Sequence, residues 1–206
     1  MKIFVTGIGT DVGKTVVSAI LVEALQADYW KPIQSGDLHF GDAEKVQSLV
    51  SNTKSVFHPN AYRLNQPLSP HAAAALDKVR IDLKKIVCPK TSNHLVIEGA
   101  GGLLVPLNDK NTIIDLIAPD YKIILVSRNY LGSINHTLMS LEVLKNRGLD
   151  VAGLIFNGPE TPSTENIIQQ MGGVRILGRV NQAPEITKKT VQTYAPIFKE
   201  VLKTLV

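Results

Sequence analysis

Short apolar runs without alternation recur along the chain: KIFVT at 2–6, DYWKPI at 28–33, HLVIEG at 94–99, KIILVS at 122–127, VAGLIFN at 151–157 and VRILGRV at 174–180. A strand with one wet face alternates apolar and polar side chains, so continuous runs predict strands buried on both faces. Between these runs, helical spacing predicts helices over 14–27, 42–51, 70–78, 81–87, 112–118, 133–147, 163–171 and 190–204. Interleaving of this kind predicts an α/β fold, a mainly parallel sheet covered by helices on both faces. Gly148, after Lys145 and Arg147, reads as a helix stop with cations where the helix dipole favours them. The segment 34–69, punctuated along with its edge by Pro59, Pro67 and Pro70, reads as a polar loop able to reach over a site.

The length of 206 residues, without repeats or a Pro-, Gly- or Ser-rich linker, predicts a single domain. The tail carries an apolar stripe at Val191, Tyr194, Ile197, Phe198, Val201, Leu202 and Leu205, interrupted at Pro196. That stripe predicts a helix packed on the domain rather than one lying on a membrane surface. The formal charge of +4 comes from scattered lysines and arginines, with no run longer than Lys84-Lys85 or Lys188-Lys189. No aromatic residues are interleaved with them, so the charge reads as solvated surface and not as a nucleic-acid face. The one cysteine, Cys88, has no partner for an internal disulfide, which fits a reducing compartment. No apolar stretch is long enough for a membrane span, and a soluble, cytoplasmic protein is expected.

Candidate chemistry begins where the first strand runs into GIGTDVGKT, residues 7–15. Phosphate binding needs inward backbone N–H groups, glycine at sharp bends, a lysine for the outer phosphates and a hydroxyl for magnesium. Gly13, Lys14 and Thr15 supply the last three in order. The general spacing G-x-x-x-x-G-K-[ST] would put its first glycine at position 8, which is Ile8; the glycines are Gly7 and Gly9. Two acids suit magnesium. Glu98 closes the run LVIE and is expected at the carboxyl end of a strand, where ligands bind in parallel sheets. Asp42 opens a helix and reads either as a magnesium ligand or as an N-cap.

Five segments in order, GIGTDVGKT (7–15), KPIQSG (31–36), LSPH (68–71), VIEGAGG (96–102) and LGSINHT (131–137), together resemble the dethiobiotin synthetases. The gap between Gly7 and Gly13 is the form that family uses. The resemblance implies a P-loop fold and a reaction in which carbon dioxide, 7,8-diaminononanoate and ATP give dethiobiotin, ADP and phosphate. It implies that Asp11, Val12, Gly13, Lys14, Thr15, Val16, Asp42, Glu98, Gly99, Ala100, Gly101 and Asn157 bind ATP, Asn157 by reading the adenine. It further implies that Thr15, Asp42 and Glu98 hold Mg2+, that Lys31, Lys14 and Thr10 act in catalysis, and that Ser35 faces the substrate. Gly132, Ser133, Ile134 and Asn135 would take the substrate carboxylate mainly from the other subunit of a homodimer. From the residues alone, Ser133 reads as a possible N-cap. One departure is Asn181, which stands where the family tends to carry a proline framing the base.

A carbamate attacking a γ-phosphate brings two anions together, so cations are needed on both sides, and Lys31 is the lysine available on the substrate side. A cationic pocket around Lys31 would also lower the pKa of a substrate amine. His71 and His136 read as structural hydrogen-bonding residues. The competing reading is a ParA- or MinD-type ATPase switch. Those carry a signature lysine early in the loop, where this chain has Gly9.

Overall fold

The computed structural model describes residues 1–204. Nine strands and six α-helices are described: β1 (Lys2–Gly7), α1 (Lys14–Leu25), β2 (Asp28–Trp30), β3 (Ile33–Ser35), α2 (Asp42–Leu49), β4 (Phe57–His58), β5 (Tyr62–Leu64), α3 (Pro70–Leu76), β6 (Leu95–Gly102), β7 (Lys122–Arg128), α4 (Ser133–Asn146), β8 (Val151–Asn157), α5 (Pro162–Gly172), β9 (Ile176–Val180) and α6 (Lys188–Lys203). Seven strands form one sheet in the order β4-β2-β6-β1-β7-β8-β9, and every pairing in it is parallel.

Both faces are covered, as continuous apolar strands require. On one face Ile3, Val5, Tyr29, Val96, Ile124 and Val126 pack under α1, α2 and α6. On the other, Phe4, Ile97, Leu125 and Leu154 pack under α3, α4 and α5. Because all strands run the same way, the loops leaving β1, β6, β7 and β8 collect at one edge, the ligand-binding edge of such sheets. Among the described residues no helix is long and apolar enough to cross a membrane.

Four expectations are corrected. The run 28–33 does not make one strand: β2 stops at Trp30, and beyond Pro32, which has no N–H to donate, β3 pairs with β5 in a separate two-stranded parallel sheet. The windows 81–87 and 112–118 form only 3₁₀ turns, Leu83–Lys85 and Ile113–Leu116. The segment 34–69 is not an open loop, since it contains α2, β4 and β5. Pro196 lies inside α6 without interrupting it. The carbonyl that Pro196 leaves without a donor belongs to Gln192, and both residues are on the exposed face of the helix. Leu205 of the predicted stripe lies outside the described residues. The stop at Gly148 holds. With φ of +65°, Gly148 donates to the Lys145 carbonyl and Leu149 to that of Leu144, the paired bonds of a glycine-terminated helix.

Candidate active site

β1 ends at Gly7 because nothing larger fits: a Cβ there would lie 2.5 Å from Val12 Cγ2 and 3.2 Å from Lys14 Cγ. The loop then passes through positive φ at Asp11 (56°) and Gly13 (97°) before α1 begins at Lys14. A side chain at Gly13 would collide with the Asn157 amide, whose Nδ2 donates to the Val12 carbonyl at 3.0 Å. α1 has no side-chain cap, which leaves its first N–H groups available to an anion. Lys14 Nζ folds back to donate to the Gly9 carbonyl at 2.7 Å. Burial lowers its pKa to about 8, against the raising pull of Glu98.

Glu98 is buried in the middle of the ligand edge. It does not end its strand, since β6 continues to Gly102; β2 stops at Trp30, opposite Ile97, and so opens the space beside Glu98. Its Oε1 accepts hydrogen bonds from Thr15 Oγ1 at 2.9 Å and from Lys31 Nζ at 3.2 Å. Its Oε2 accepts one from the Tyr29 hydroxyl at 2.9 Å. Lys31 Nζ also forms an ion pair with Asp42, which in turn lies 3.8 Å from Lys45 Nζ. Burial alone would lower the Lys31 pKa, but the Glu98 and Asp42 carboxylates hold it above the usual lysine value. Asp42 shows the converse: burial works against its ionisation, and Lys31 nevertheless keeps its pKa below the usual value.

The N-cap reading of Asp42 is corrected, because Gly41 occupies the cap and Asp42 is the first helical residue. Its backbone N–H is taken by Gln34 Oε1 at 3.1 Å, which leaves its carboxylate for Lys31. With Lys45 included, three ammonium groups, Lys14, Lys31 and Lys45, meet the two carboxylates of Glu98 and Asp42.

The donor set suits magnesium. Thr15 Oγ1 and Glu98 Oε1 are joined by an ordinary hydrogen bond of 2.9 Å, a separation that adjacent ligands of an octahedral ion with bonds of about 2.1 Å could keep. Among the described residues no group of three or more His, Cys, Asp and Glu side chains forms a cage.

The other expected residues lie around this cluster or beyond it. Val12 is buried and Val16 half-buried, while Thr10 is exposed beside Gly101, where a Cβ would lie 3.6 Å from Thr10 Oγ1. Gly99 sits against Phe4 and Ile113, and Ala100 is half-buried. Ser35 Oγ is buried without a hydrogen-bond partner.

At the end of β7, Gly132 with φ of +102° occupies the cap of α4, so Ser133 is its first residue and not its N-cap. Ser133 Oγ is also buried and unpartnered. Ile134 and Asn135 are exposed, and the preceding Leu131 is fully so. No hydrogen bond among the described residues joins this turn to the Lys31 cluster. His136 hydrogen-bonds the Tyr130 hydroxyl and His71 that of Ser69. Asn181 donates its N–H to the Tyr194 hydroxyl at 2.9 Å. Tyr29 and Gln34 are the participants that pattern reading misses. Tyr29 sits in an apolar run and looks like core, and its only signal is that a buried phenol needs a partner.

Comparison with known proteins decides the family. The family described as an AAA domain matches residues 1–190. The ATP-dependent dethiobiotin synthetase of Christiangramia forsetii is 57% identical across 97% of this chain and 96% of that protein. That of Cytophaga hutchinsonii is 50% identical across 94% and 95%. The chain belongs to the dethiobiotin synthetase family. Solved structures place this dethiobiotin synthetase family member in the wider P-loop fold. The cell division ATPase MinD of Pyrococcus furiosus aligns with a TM-score of 0.64 at 16% identity, covering all of both chains. A ParA family ATPase from Chlorobium tepidum aligns at 0.57 and 12%, covering 98% of this chain and 93% of the other. At that identity the likeness is one of fold alone.

Proposed function

We propose that this dethiobiotin synthetase family member carboxylates 7,8-diaminononanoate with carbon dioxide and closes the ureido ring at the expense of ATP. One amine adds to carbon dioxide, losing a proton, to give a carbamate. A carbamate oxygen attacks the γ-phosphorus and ADP leaves, forming a carbamic-phosphoric anhydride. The second amine attacks the carbonyl carbon, losing a proton as phosphate departs, and the ring is closed.

Within this chain Lys14 and the N–H groups opening α1 hold the phosphates. Thr15, Glu98 and Asp42 would hold Mg2+, which when bound offsets charge on the phosphate oxygens. Lys31 meets the carbamate from the other side, and Thr10 and Ser35 border the substrate. Asn157, beside the phosphate loop, is left with one amide hydrogen and its carbonyl oxygen to read a base. The turn Gly132–Asn135 offers N–H groups to a carboxylate, and the exposed Leu131 and Ile134 beside it support a homodimer that places this turn over the partner's site. The reading takes residues 1–206 as one catalytic domain working in the cytoplasm, where a lone thiol such as Cys88 stays reduced.

The observation that carries the reading is the convergence of Lys31 on Glu98 and Asp42, beside Lys14 and Thr15. Lys31→Ala is expected to lower kcat by at least about two orders of magnitude, the loss typical of a preorganised charge, while ADP binding measured by calorimetry persists. Near-normal turnover by that variant would remove Lys31 from the reaction.

A further inference from the structure

Both oxygens of Glu98 are engaged, and one of the partners, Tyr29, has no part in the reaction as written. Tyr29 is the middle residue of β2, fully buried, with its ring 5.8 Å from that of Phe57. Its register partner on β6 is Val96. Glu98 lies two positions further along the same face of β6, so the phenol reaches it diagonally and donates to Oε2.

A buried phenol requires some partner, and the choice of partner is what matters here. A glutamate tethered at neither oxygen can turn about its last side-chain bond and present either one. With Oε2 tied from within the core, only Oε1 faces Thr15 Oγ1 and Lys31 Nζ.

We propose that Tyr29 is a positioning residue, whose hydroxyl holds Glu98 Oε2 so that Oε1 stays directed at Thr15 as half of a ready-spaced pair of cation ligands. The inference rests on the magnesium reading above. Partners of this kind behind a metal ligand typically change metal affinity by about 10- to 100-fold.

Tyr29→Phe keeps the ring and removes only the donor. Mn2+ is the probe, because its free concentration is read directly by electron paramagnetic resonance in the presence of ADP. The expected result is Mn2+ binding about tenfold weaker in Tyr29→Phe than in the unaltered protein, with the Mg2+ concentration for half-maximal turnover rising in parallel. Phe57→Leu, which loosens packing on the ring without touching Glu98, is expected to leave Mn2+ affinity in place. Equal affinity in Tyr29→Phe and the unaltered protein overturns the positioning role and leaves the metal site standing. An equal loss in Phe57→Leu assigns the effect to packing and overturns it as well. Failure of the unaltered protein to bind Mn2+ with ADP overturns the metal reading and this inference together.

Discussion

Gly7 and Gly9 stand two positions apart in the phosphate loop, yet space restricts only the first. A Cβ on Gly7 would meet Val12 and Lys14, whereas nothing lies within 4 Å of a Cβ on Gly9. Gly7→Ala is expected to destabilise the fold by about 1–3 kcal/mol, the usual range for overpacking, and to weaken ADP binding by displacing Val12. Gly9→Ala is expected to stay within about 0.5 kcal/mol. Thermal melts of the two variants with and without ADP check the contrast, and equal effects would contradict the packing account. At this scale Lys14, Thr15 and Glu98 were nameable from the glycine-rich turn and the apolar run LVIE, whereas Lys31 and Asp42 were nameable only through the family resemblance, because a lysine at a strand end and an acid opening a helix each have commoner uses. Tyr29 was hidden, because a phenol inside an apolar run has the same pattern as any core aromatic.

At the scale of elements, the strands longest in sequence were the easiest to read and the shortest were not. β4 and β5 have two and three residues, too few to show a period, and they join the structure through tertiary contacts. One such contact is Asp28, at the start of β2. It accepts hydrogen bonds from Thr91 Oγ1 at 2.6 Å, from Val56 N–H at 3.0 Å and from Asn93 Nδ2 at 3.1 Å, with His58 Nε2 at 3.4 Å. These bonds bind β2 to the segments entering β4 and β6. Burial works against ionisation of Asp28, but the hydrogen bonds outweigh it and hold the pKa below 3.8.

A carboxyl whose pKa is depressed by folding stabilises the native state above its unfolded-state value. That contribution is lost as pH falls through the lower folded-state value. Asp28→Ala is therefore expected to cost about 2–3 kcal/mol near neutrality, mainly from orphaned donors. The difference from the unaltered protein should shrink as pH falls below about 3.8, the unperturbed carboxyl value. Urea titrations at several pH values check this, and a difference independent of pH would contradict it.

At the scale of the molecule, the sheet order explains why one edge gathers everything: parallel strands deliver the phosphate loop, Glu98, Asn157 and the turn at 132–135 to the same side. This architecture was legible from continuous apolar runs, because burial on both faces leaves that trace. It does not by itself select a function, since the MinD and ParA structures share it. What separates the readings is likeness in sequence, 57% identity to a dethiobiotin synthetase against 16% to that MinD. The most direct test supplies the protein with ATP, Mg2+, isotopically labelled bicarbonate and 7,8-diaminononanoate, and follows ADP and labelled dethiobiotin together. The account predicts ADP release that depends on the diamine and matches the labelled, ring-closed product one for one. ADP release indifferent to the diamine, with no label carried into product, would contradict it.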